Sequence, residues 1–295
     1  MTLFNSVGVN RRRAKGSEVL SRGSVQVGGE SVYYEAAGMA ENRPIILFLH
    51  ESGGTSATWH GQLVGLAQHA RCIIPDLPGH GRSEGIGHTQ VADYSQAVLR
   101  FLDALAIRWP VVIAGVCLGA AVAVDLALIA PDRVAGLILC GLSPSGRACD
   151  ETRSAAARGE GLENFVRGLF GPSASERLLI ENLKRWRLTG PIARFGALNA
   201  VYTYPLRDAL WRVIHPTLLV SGEHDKIATP ELADEISVEM VNARAETLPR
   251  SGCMGMQEQP AQFNRIALEF LDQVRPVVPN PAEPELRPVG GYRRF

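Results

Sequence analysis

Apolar residues in this chain fall into short unbroken runs, separated by longer stretches in which they recur every three or four positions. Arg43 to His50 (RPIILFLH) is one such run, too short for a helix and apolar on every position, as expected of a strand covered on both faces. Arg71 to Leu77, Pro110 to Gly115, Val134 to Leu142, His215 to Gly222 and Ala243 to Pro249 are further strand candidates. Helical periodicity follows them, over Ser56 to His69, over Val91 to Ala106, up to Pro131, and over Gln259 to Val274. Upstream, SVQVGGESVYYEAAG predicts two strands joined at Gly28 and Gly29. Such alternation predicts an α/β fold with a mostly parallel, doubly wound central sheet flanked by helices.

Val111 to Ala130 is apolar over nearly the length of a membrane span, but Asp125 and two glycines interrupt it. A buried strand, a tight turn over Gly115 to Gly119 and an Ala-rich helix ending at Pro131 account for it better. Between Leu142 and Thr217 the helical period continues with no strand signal, too long for an ordinary connection. The expected organisation is therefore a core over residues 24–144 and 213–275 with a helical cap over 145–212. Residues 1–23, with Arg11, Arg12, Arg13 and Lys15, and the Pro-rich residues 276–295 are expected to be flexible tails.

With 295 residues, 46% of them hydrophobic, the chain can bury a large core. Thirty Lys and Arg against thirty Asp and Glu leave no net charge, so nothing steers it toward nucleic acid or anionic lipid. The span Ser145 to His215 departs from that balance, with eleven basic and seven acidic side chains, an excess suited to an anionic substrate or simply to solvated helix faces. Five cysteines are an odd number without framework spacing, and the first fifteen residues run in the wrong order for a secretory signal. These features predict a cytoplasmic protein with reduced thiols and a small-molecule substrate or ligand, with no nucleic-acid or membrane partner. Its oligomeric state is not legible.

The chemistry concentrates in Gly115-Val116-Cys117-Leu118-Gly119, between a buried strand and a helix. A nucleophile on such a sharp turn needs small residues two positions to either side, so that neighbouring backbone can pack closely. At this point the chain resembles the α/β-hydrolase superfamily, from about Ser24 to Val274. His50-Glu51-Ser52-Gly53-Gly54, with Trp59 nearby, looks like the family's oxyanion loop, with Glu51 where glycine is commoner. Asp76 to Ser83 (DLPGHGRS) looks like the loop after the next strand, and Gly222 to Lys226 like the turn bearing the triad acid. Ser251 to Pro260 matches the segment that presents the catalytic histidine, but the residue there is Cys253.

The resemblance therefore implies Cys117, Asp225 and Cys253 where the family has serine, aspartate and histidine, with the backbone N–H groups of Ser52 and Leu118 as the oxyanion pair. Cysteine nucleophiles occur in some members, such as dienelactone hydrolases. Loss of the histidine is the larger change, because it removes the general base. The helix N-terminus favours the thiolate, so Cys117 can attack an ester or thioester where serine could not. Release by water lacks its base, at a loss of about 10²- to 10⁴-fold, which favours slow hydrolysis or transfer to an amine or thiol.

His50 and His80 sit in loops at the strand ends where ligands bind, and are candidates for substrate contact or for structural hydrogen bonding. Trp186, Phe195, Tyr202 and Trp211 are the aromatic candidates for a pocket wall. His224 adjoins Asp225 but should point away from Cys117. Cys72 and Cys140 belong to apolar strands, and Cys149 opens the cap. No short Cys/His ligand spacing suggests a metal, and no cofactor is required. Three readings follow: a hydrolase or acyltransferase acting on a small ester, thioester or lactone through an acyl-Cys117 intermediate; a ligand-binding or regulatory protein without turnover; and soft-metal or redox chemistry at Cys117 and Cys253, including a reversible disulfide. An aspartate nucleophile, as in the epoxide and haloalkane branches, is absent.

Overall fold

Eight strands form one sheet in the order β1-β2-β4-β3-β5-β6-β7-β8 in the computed structural model, which describes residues 20–38, 43–143 and 158–274. They are β1 (Ser21–Val27), β2 (Glu30–Ala37), β3 (Ile45–Leu49), β4 (Arg71–Pro75), β5 (Val111–Val116), β6 (Val134–Cys140), β7 (Thr217–Gly222) and β8 (Ala243–Leu248). From β4 to β8 every pairing is parallel, while β1 and β2 form an antiparallel hairpin that joins the sheet through β2 and β4. The hairpin turns at Gly28 and Gly29, both at positive φ. Strand β1 begins at Ser21, inside the stretch expected to be tail. Residues 1–19 and 276–295, and Cys149, lie outside the described residues.

Successive residues of the central strands feed two separate cores, as a period of two requires. Ile45, Leu47 and Leu49 of β3 pack in one, Ile46 and Phe48 in the other, and β5 divides in the same way. Helices α1 (His60–Leu66) and α10 (Pro260–Val274) cover one face; α2 (Val91–Ala104), α3 (Leu118–Ile129) and α8 (Pro230–Glu239) cover the other. Double coverage explains why β3 and β5 are apolar at almost every position.

Helix α3 is buried on all sides from Leu118 to Ala127, which accounts for its resemblance to a membrane span. Its charged residue, Asp125, accepts a hydrogen bond of 3.0 Å from the Tyr204 hydroxyl. No helix among the described residues is long and apolar enough to cross a membrane.

Between β6 and β7 the regular elements of the described chain are all helices: α4 (Leu162–Gly168), α5 (Glu176–Leu188), α6 (Pro191–Thr203) and α7 (Leu206–Leu210). Val166, Leu169, Trp186 and Leu198 join one core, Ala197, Ala200 and Leu210 the other, so this segment lies across the sheet rather than apart from it. The short helix α9 (Gly255–Glu258) precedes α10.

Candidate active site

Cys117 caps the N-terminus of α3 with φ 49° and ψ −105°, a left-handed conformation rare for a residue with a side chain. Such strain costs about 1–3 kcal/mol and survives only where its surroundings enforce it. Here they do. A Cβ at Gly115 would stand 2.2 Å from the Gly119 carbonyl oxygen, and one at Gly119 would stand 2.1 Å from that of Leu49. The two glycines let β5, α3 and β3 close on each other, and the turn between them presents Cys117. Its N–H is spent on Cys140 O at 3.0 Å, while Leu118 opens the helix with an N–H that has no acceptor among the described residues.

The Ser52 N–H is also without an acceptor among the described residues, in a loop held by Gly54 N donating to Glu51 O at 2.9 Å. His50 fixes that loop from below. Its Nε2 accepts from Leu77 N at 2.9 Å, leaving Nδ1 as the protonated nitrogen that donates to Glu51 O at 2.7 Å. His80 donates from Nδ1 to Pro78 O at 3.0 Å and packs at a tilt against His50, with ring centroids 5.1 Å apart. Burial pushes His50 down to about 4, and burial with the neighbouring His50 pushes His80 down to about 3. Both are neutral structural pins, and neither lines the cavity described below. Asp76 completes the arrangement by accepting from Ser56 N at 2.5 Å and Arg82 N at 2.8 Å.

On the far side of Cys117 the loop after β8 brings in Cys253, 4% exposed, with its Sγ 3.4 Å from that of Cys117. The contact is close because Gly141 leaves room for it. A Cβ there would stand 2.4 Å from Cys253 Sγ and 3.1 Å from Cys117 Sγ. Its hydrogen bond with Cys117, then burial, then the charges of Cys117 and Asp225, hold the Cys253 thiol well above the usual range, so it is present as a neutral S–H. Asp225 turns its Oδ1 to the N–H groups of Ile227 at 2.8 Å and Ala228 at 3.0 Å. Its buried Oδ2 meets no donor with hydrogen-bond geometry, and the Cys253 thiol nearby is only a weak substitute for an imidazole N–H. Burial raises the Asp225 carboxyl, against the pull of those two amides. Thr229, not Asp225, caps the following helix.

Two carboxylates that sequence reasoning gave no role complete the site. Glu258 accepts from Gly252 N at 2.8 Å and Gly171 N at 3.0 Å, tying the Cys253 loop to the helices between β6 and β7. Glu51 is 1% exposed and lines the cavity. Its Oε2 accepts from Thr58 Oγ at 3.0 Å, while Oε1 has no partner. Burial raises its carboxyl, and its own backbone amide, then the Arg185 guanidinium, only partly offset this. The unusual residue after His50 was the available signal.

The cavity has a volume of about 410 Å³. Cys117, Glu51, Ser52 and Gly141 form its floor, and Phe165, Leu169, Trp186, Leu198, Tyr202 and Leu206 a largely apolar wall. Trp186 is held by Phe165, ring centroids 5.1 Å apart and nearly perpendicular. Trp211 is 64% exposed and does not reach the cavity, nor does the half-exposed Phe195, because each points off the outer face of its helix. His224 is likewise turned outward, beside Glu223. Among the described residues no three His, Cys, Asp or Glu side chains are arranged to hold a metal ion.

A family model described as the alpha/beta hydrolase family matches residues 46–266. The dihydrolipoyllysine-residue acetyltransferase component of an acetoin cleaving system of Pseudomonas putida is 30% identical over 259 residues, covering 83% of this chain and 68% of that protein. Pimeloyl-[acyl-carrier protein] methyl ester esterase of Aeromonas salmonicida is 28% identical over 248 residues, covering 77% and 95%. An enol-lactonase from Burkholderia xenovorans superposes with a TM-score of 0.76 at 25% identity, over 85% of this chain and all of that one. With its sheet order, its strained strand-to-helix turn and these similarities, the chain belongs to the alpha/beta hydrolase family.

Proposed function

We propose that this protein is a hydrolase or acyltransferase acting on a small, largely apolar ester, thioester or lactone, with Cys117 as nucleophile. The observation that carries this reading is the strained Cys117 turn opening on an apolar cavity beside the unspent N–H groups of Ser52 and Leu118. The Cys117 sulfur adds to the carbonyl carbon, and the oxyanion settles on those two N–H groups. Collapse expels the alkoxide or thiolate and leaves an acyl thioester. We assign the proton transfer to Glu51, which lines the cavity and keeps one carboxyl oxygen without a partner: it takes the thiol proton and returns it to the leaving group. The helices from α4 to α7 act as the cap that shapes the acyl pocket. Esterase, lactonase and acyltransferase names among the relatives support this substrate range.

Deacylation is the slow half. Cys253 cannot accept a proton as a histidine does, and Asp225 has no imidazole to orient, so an acceptor amine or thiol is a better partner for the acyl enzyme than water. The same broken triad favours a second reading, in which the cavity binds a ligand without turning it over. Brief exposure to a panel of activated esters and thioesters, followed by intact-mass spectrometry of the parent and Cys117→Ala, separates the two. An acyl adduct present in the parent and absent in the variant is expected; an unchanged mass throughout would leave the binding reading standing.

A further inference from the structure

We infer that Cys117 and Cys253 form a peroxide-oxidisable dithiol, with Cys117 as the sulfur oxidised first and Cys253 as the one that resolves it to a disulfide.

The two sulfurs differ in access and not in proximity. Cys117 is half-buried and lines the cavity, within reach of a small oxidant. Cys253 is buried, is absent from the cavity wall, and waits 3.4 Å behind it. A disulfide needs the sulfurs at about 2 Å, which from their present 3.4 Å calls for rotation about the two Cα–Cβ bonds. Gly141, with no side chain at the point where the sulfurs meet, leaves that rotation free. The surrounding loops are fixed by Glu258 on Gly252 and by Cys117 N on Cys140 O, so the pair stays in register.

The chemistry balances with hydrogen peroxide as the oxidant. The Cys117 thiolate attacks the O–O bond, one oxygen stays as the sulfenic acid, and the other leaves as hydroxide and takes up a proton. Cys253 sulfur then attacks the sulfenic sulfur, the S–O bond breaks, and the thiol proton leaves with the hydroxyl as water. Two thiols and one peroxide yield one disulfide and two waters, and an external thiol reverses it. Since the product consumes the sulfur assigned to acyl transfer, oxidation blocks that reaction reversibly.

The test treats reduced full-length protein with one equivalent of peroxide, then caps free thiols, maps peptides and measures intact mass. The expected result is a loss of two hydrogens, a Cys117–Cys253 cross-linked peptide, and full recovery with dithiothreitol. In Cys253→Ser, Cys117 is expected to accumulate as sulfenic acid, trapped by dimedone. Oxygen adducts on parent Cys117 with Cys253 still capped, a disulfide between other cysteines, or no oxidation at excess peroxide would each overturn the inference. The mass readout needs no substrate, so a cross-link without any acyl adduct would sink the acyl-transfer reading alone, and the reverse result would sink the dithiol alone.

Discussion

Cys253 Sγ stands 3.4 Å from Cys117 Sγ and beside the buried Asp225 carboxylate, between the proposed nucleophile and the proposed acid, where the proposed triad would need a histidine. Supplying an imidazole at this position is therefore a local change. Cys253→His is expected to raise ester turnover by about 10²- to 10⁴-fold, the span of general-base contributions. The rise should appear in deacylation, so that a burst followed by a slow phase becomes steady turnover. A variant that acylates and releases at the parent's rates would remove Asp225 from the proposed machinery.

Glu51→Gln keeps the acceptor for Thr58 and removes the ionisation. Acylation of Cys117 is expected to slow by about 10²-fold or more and to lose its dependence on pH in the range where the carboxyl titrates. Stability moves the other way. Burial raises the folded-state pKa of Glu51, so the charged form costs stability, and the cost grows as pH rises through the folded value. The variant should match the parent in acid and exceed it at alkaline pH in urea midpoint.

Gly53→Ala tests the joint between the oxyanion loop and the helices over it. Gly53 sits at φ 81°, and a Cβ there would stand 2.5 Å from the Trp186 ring. Overpacking and backbone strain together should cost about 2–4 kcal/mol. Loss of the Trp186 environment, read by fluorescence, should accompany the lower urea midpoint; an unperturbed indole would contradict the packing described.

His50 and His80 make stability depend on acid. Their folded values, about 4 and about 3, lie below the ordinary 6.5, so the unfolded chain binds protons first as pH falls. Stability is fully present above about pH 6.5 and declines progressively toward the folded values. In His80→Gln the slope of urea midpoint against pH between 6.5 and 4 should be shallower than in the parent, whatever the absolute loss. An equal slope would mean that His80 titrates normally in the folded protein.

The strands, the mostly parallel order and the strand-to-helix turn at Cys117 were legible in the sequence because each depends on local pattern. A doubly covered strand must be apolar at every position, and a turn crossed by other backbones needs glycines at 115 and 119. The odd cysteine at 253 was legible too, from the segment around it. Distance and exposure were not, because they arise from contacts between residues far apart in the chain. The tertiary structure alone decides that Cys117 and Cys253 touch, since Gly141 from a third segment makes the space. It decides that His50 spends both ring nitrogens on backbone and His80 its Nδ1, and that Trp186 faces inward while Trp211 faces out. It also finds Glu51, whose burial and unpaired oxygen follow from the fold of the 51–54 turn and the helices above it rather than from any pattern of neighbours in sequence.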